Sequence, residues 1–114
     1  MQRFPDGGIG RCGTVVSDGL VYAVATDPVC ADDIASQTRN TLEDLERKLI
    51  TAGSGKIGLV QATVYLSDIS NKPAMDAVWA EWIGPEENWP QRACVGVQLE
   101  EGYLIEIVVV AKVL

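Results

Sequence analysis

The stretch from Tyr103 to Val113 constrains the fold more than any other part of the chain. Leu104, Val108 and Val110 alternate with Ile105, Ile107 and Val109, so a strand here is apolar on both faces. A sheet that holds such a strand must be covered on both sides, or one side must meet another molecule. A single charge interrupts the run. Glu106 shares a face with Leu104, Val108, Val110 and Lys112, and a carboxylate there is costly to bury unless it is paired or used.

The rest of the chain supplies partners for that strand. Thr14–Val16 and Leu20–Ala25 flank Ser17-Asp-Gly19, a hairpin signal, since Asp-Gly accepts the positive φ values of a tight turn. Thr26-Asp-Pro28 closes the second strand. Asp32-Asp33 can cap a helix in which Ile34, Thr38, Leu42, Leu45 and Leu49 form one stripe, with Gly53 as its stop. Leu59–Leu66 reads as a strand rich in apolar and β-branched residues. A second helix is predicted from about Asn71 to Ile83, capped by Ser70 or Asn71, with Met75, Val78, Trp79 and Trp82 inward and Gly84-Pro85 at its end. A strand opened by Arg92 follows. The expected order is β-β-α-β-α-β-β, an α+β fold with a mixed sheet and two helices on one face, in a single domain over residues 1–114. Two helices cover one face only, so a homo-oligomer is expected.

Composition narrows the function. Net charge is −7, which disfavours nucleic acid as a partner. No apolar run suits a membrane span and the N-terminus does not read as a signal peptide, so a soluble cytoplasmic protein is expected. Three cysteines, Cys12, Cys30 and Cys94, lack the spacing of a disulfide framework or a zinc site, and no metal is expected. Histidine is absent, so acid–base work falls to carboxylate, tyrosine, cysteine, lysine or water.

Few residues remain to carry chemistry. Arg92 has the planar fork that grips a carboxylate bidentately, or it is a structural ion-pair partner. Glu106 can hold water and move a proton, or form a salt bridge with Arg92 or Lys112. Arg92 and Glu106 lie on strands that the sequence joins through a short turn around Glu100-Glu-Gly102. Arg11 sits in the glycine-flanked loop Gly10-Arg-Cys-Gly13, either near a ligand or solvated. Cys94 shares a strand face with Arg92 and reads as packing near the site. Trp89, in the loop before Arg92, could close over a ligand or an interface.

Gly19-Leu-Val-Tyr22, Gln37–Leu42, Val64–Asp68, Pro90-Gln-Arg-Ala-Cys-Val-Gly-Val97 and Ile105-Glu-Ile107, in that order, resemble the Rid family of reactive intermediate deaminases, also called YjgF/UK. The resemblance runs from about Gly10 to Leu114. It implies a chorismate-mutase-like homotrimer with sites in clefts between subunits. It implies cofactor-free hydrolysis of enamines and imines such as 2-aminoacrylate to keto acids and ammonia. It makes Arg92 the carboxylate grip and Glu106 the residue that positions water, and sets Cys94, Arg11 and Ala25 at the substrate. The chain departs from the pattern of deaminating members. Arg11-Cys12 replaces a tyrosine loop, Val24-Ala25 a Ser-Gly pair, and Asp76 an asparagine. These departures imply a more positive pocket near Arg11 and a different substrate, such as a dicarboxylate. The alternative is a member that binds a small carboxylate, as a sensor, without turning it over.

Overall fold

In the computed structural model, which describes residues 1–114, a six-stranded sheet carries two helices on one face. Its strands are β1 (Gln2–Pro5), β2 (Cys12–Ser17), β3 (Leu20–Ala25), β4 (Leu59–Leu66), β5 (Gln91–Gly96) and β6 (Ile105–Lys112). The helices are α1 (Ile34–Thr51) and α2 (Lys72–Ile83). The spatial order is β1-β2-β3-β6-β4-β5. All neighbours are antiparallel except β4 and β5, whose parallel pairing requires the crossover that α2 provides.

The hairpin turn forms as expected, with positive φ at Asp18 (52°) and Gly19 (78°). Helix α1 starts where Asp33 accepts a hydrogen bond from the Ser36 amide (2.9 Å). Thr38, Leu42, Leu45 and Leu49 are buried along it, while Ile34 is only partly so. Each fully buried leucine stabilises the fold by roughly 1.5–3 kcal/mol. Before α2, neither Ser70 nor Asn71 caps with its side chain. Asp68 does so for a short helical turn, Ile69–Asn71, that runs into α2. Met75, Val78, Trp79 and Ile83 are its buried residues, with Trp82 at the margin.

Two features differ from the sequence reading. β1 is an additional edge strand, short and ended by Pro5 after a register shift, with too few alternating residues to stand out. β5 and β6 are not neighbours, because β4 lies between them. The two charged strands therefore form no hairpin, although the chain between them is short.

The core lies on the helix side. Ile105, Ile107, Val109 and Ala111 of β6 are buried there, beside Val21, Ala23 and Ala25 of β3 and Ala62, Val64 and Leu66 of β4. The opposite face has no helix over it. Tyr22 pairs with Val110 and Val24 with Val108 across that face, and Tyr22, Val95 and Val108 stay exposed. No helix is long and apolar enough to cross a membrane.

Candidate functional site

Register decides where Arg92 and Glu106 point. Arg92 pairs with Ala62, and Ala62 pairs with Val109, both buried on the helix side. Glu106 pairs with Tyr65, one residue out of phase with that set. Directly paired residues share a sheet face, so Arg92 faces the helices and Glu106 faces away from them. Within one chain they form no ion pair, and Glu106 has none with Lys112 either.

Arg92 lies in a cavity of about 300 Å³ between the edge strand β5 and α2. Its guanidinium stands over the Trp79 ring, 5.2 Å from the centroid, and donates to Asp76 (2.5 Å) and to the Met75 sulfur (3.7 Å). Asp76 also accepts from Lys72 at 2.8 Å. Partial burial works against the Asp76 carboxylate, yet the hydrogen bonds from Lys72 and Arg92 prevail and hold its pKa below the usual range. The other N–H groups of Arg92 have no protein partner, so its fork retains donors for a ligand. Trp89 and Pro90 complete the wall.

Cys94 follows on the same face as Arg92 and packs against the core. Burial raises its thiol pKa, and the nearby charges of Arg92 and Lys72 do not overcome that. It is a packing residue in this chain and poorly suited to nucleophilic attack.

Glu106 opens into a second cavity, of about 410 Å³, where Arg11 and Ala25 join it. Ala25 is almost fully buried at the end of β3. Arg11 is exposed and has no ion-pair partner in the chain. Sequence reasoning missed Asp6, Lys48 and Tyr103 in the same lining. Lys48 stands three residues beyond Leu45 on the margin of the α1 stripe, which was its only signal. It donates to the Val24 carbonyl (2.8 Å) and pairs with Asp44 (3.2 Å). Asp6 accepts from the Gly8 amide (3.1 Å), which with the charges of Lys48 and Arg11 lowers its pKa. A side chain at Gly13 would collide here, since a Cβ would stand 2.9 Å from the Asp6 carboxylate and 3.1 Å from Lys48 Nζ. Three acids, Asp6, Glu100 and Glu106, face two bases, so the lining is less positive than Arg11 alone implies.

Arg11, Ala25 and Glu106 are thus brought together, and Arg92 with Cys94 is set apart. A mixed sheet backed by two helices on one face is a chorismate-mutase-like fold, here with two separate cavities, one around Arg92 and one around Glu106. The chain belongs to the Rid/YjgF family. The family model described as endoribonuclease L-PSP matches residues 8–113. The chain is 40% identical over 105 residues to a protein of Acinetobacter baylyi named 3-aminoacrylate deaminase RutC, covering 85% of this chain and 82% of that one. A solved YjgF-family protein of Neisseria meningitidis superposes with a TM-score of 0.90 at 26% identity, over 97% of this chain and 92% of that one. A family member from Mycobacterium tuberculosis gives a TM-score of 0.87 at 29% identity, covering 98% of each.

Proposed function

We propose that this protein hydrolyses small reactive enamine or imine acids to keto acids and ammonia, as a cytoplasmic homotrimer with sites between subunits. The observation that carries the reading is the opposed placement of Arg92 and Glu106. A site using both must take Arg92 from one chain and Glu106 from its neighbour. The uncovered apolar face around Tyr22, Val108 and Val110 supplies surface for such an assembly. The relative named 3-aminoacrylate deaminase supports the reaction class.

Arg92 holds the substrate carboxylate through its free N–H groups. An enamine first takes a proton on carbon and becomes an iminium ion, the protonated form of the imine. Water, oriented by Glu106, then attacks the imine carbon, and Glu106 accepts the proton that water releases. That proton passes to nitrogen, and as the C–N bond breaks the added hydroxyl gives up its own proton to water, so ammonia leaves and a keto acid remains. The chain has no histidine, so a carboxylate of this cavity suits the role of base, and Glu106 is the one that stands on a strand. The free state of all three cysteines suits a reducing compartment. The description endoribonuclease raises RNA cleavage as another activity, but a net charge of −7 and the lack of histidine weigh against it.

The test is keto-acid or ammonia release from 2-aminoacrylate generated in situ. Acceleration over buffer that Arg92→Ala removes is the expected result. No acceleration with this or any other imino acid overturns the reading. Keto-acid binding that needs Arg92, without turnover, would instead make the protein a small-carboxylate binder.

A further inference from the structure

The Arg92 cavity differs in character from the Glu106 cavity. Its walls are Trp79, Ala80, Ile83, Trp89 and Pro90, and its only charges are Arg92 and Asp76. Trp89 is 60% exposed although it is a large apolar side chain. Its ring is not loose, because its indole N–H donates to the Gly84 carbonyl at the end of α2 (3.0 Å). A fixed aromatic face beside a carboxylate-binding fork is the layout of a pocket for an amphipathic acid.

Rested on the reading of Arg92 as the carboxylate grip, we infer that this cavity selects monocarboxylic imino or keto acids with a bulky apolar or aromatic side chain. Trp89 is the residue that sets this preference. The carboxylate takes the free edge of Arg92, and the side chain lies against Trp89 and Pro90 over the Ile83 end of α2. Asp76 disfavours a second carboxylate inside this cavity. Its carboxylate stays ionised between Lys72 and Arg92, spends part of the arginine's charge, and repels a second anionic group in the same cavity.

Calorimetry on the full-length protein with pyruvate, 4-methyl-2-oxopentanoate, phenylpyruvate and oxaloacetate tests this. The expected order is phenylpyruvate and 4-methyl-2-oxopentanoate about tenfold or more tighter than pyruvate, with oxaloacetate weakest. Trp89→Ala, an exposed position whose loss leaves the core intact, is expected to bring the two bulky acids to within about twofold of pyruvate. Equal affinities, a preference for oxaloacetate, a preference that survives Trp89→Ala, or no binding of any acid each overturns the inference. The outcome separates from that of the proposed function. Turnover of 2-aminoacrylate without a side-chain preference leaves the reaction standing and removes the inference. A Trp89-dependent preference without turnover does the reverse.

Discussion

The molecule's two cavities around Arg92 and Glu106 are of opposite construction. Around Arg92 the walls come from a helix, an edge strand and the loop segment Trp89-Pro90 that leads into that strand, the arginine side chain is 19% exposed, and the surroundings are aromatic. Around Glu106 the walls come largely from chain ends and loops, and five of the lining residues are charged. The first is preformed by core packing. The second depends on hydrogen bonds that tie loops down. A carboxylate anchor must be rigid to orient its ligand, whereas the group that handles water must meet solvent and a second charge distribution. If the proposed site uses both, their separation gives each its own surroundings and requires a second chain to bring them together.

The sharpest way to break that division is to remove one half at a time. Arg92→Ala is expected to weaken keto-acid binding about 100-fold or more, since the donors have no substitute in their cavity. The fold should persist, because Asp76 keeps Lys72 as a partner. Glu106→Gln should leave binding in place and lower kcat by about 10²–10⁴, the usual worth of a general base. Calorimetry beside single-turnover kinetics separates the two. If both variants lose binding equally, the halves do not have distinct roles.

Complementation tests the two-chain site directly. Each inactive variant keeps the residue that the other lacks. Unfolding and refolding an equal mixture should restore roughly a quarter of wild-type activity, because each site draws its two residues independently from the mixed chains. Activity no greater than that of the separate variants would place Arg92 and Glu106 in different sites.

The Glu106 half should be the more fragile. Gln37 is fully buried, and its amide donates to the carbonyls of Ala31 and Gly102 (both 2.7 Å) and accepts from the Leu104 amide (2.9 Å). It thereby fixes the segment that carries Tyr103 into the cavity. Gln37→Leu leaves those groups without partners and should cost about 2–4 kcal/mol in urea unfolding. Hydrogen exchange should rise over residues 98–104 more than over β5. Equal loosening of both would mean that the two cavities are held with the same rigidity.

Much of this was legible in the chain. The hairpin, α1, β4 and the apolar last strand follow from local pattern, because turn chemistry and periodicity act over neighbouring residues. Arg92 and Glu106 stood out as charges on apolar strands, and the family resemblance gave them roles and added Ala25. The relation between Arg92 and Glu106 was not legible. A residue's face is fixed by register across β4, and the placement of β4 between β5 and β6 is a long-range choice that no local window contains. Asp76 was visible only as a departure from the family pattern, while its contact with Arg92 depends on α2 crossing above β5. Lys48 was hidden because a charged residue at the margin of an apolar stripe reads as solvated.

The smallest expected effect concerns the loop between β3 and α1, which borders the Glu106 half. Asp27 is buried and accepts from the amides of Val29 (2.7 Å) and Ala31 (2.8 Å) and from Asn40 (3.1 Å). Burial opposes its charge, but these bonds win and its pKa lies below the usual value. The folded state therefore binds this proton less readily than the unfolded chain, in which an aspartate titrates near ~3.9. The resulting stability is fully present above that value and is lost as pH falls through the lower native pKa. Asp27→Asn should cost about 1–2 kcal/mol at neutral pH, since an amide oxygen accepts these bonds more weakly than a carboxylate. The gap should begin to close as pH falls below about 4, where the unfolded aspartate takes up its proton, and go on closing until the native carboxyl is protonated as well. Urea midpoints from pH 7 to pH 3 measure it. A gap that stays constant over that range would mean that Asp27 acts through its shape alone, and that the loop beside Glu106 is held by geometry, as the Arg92 side is, and not by charge.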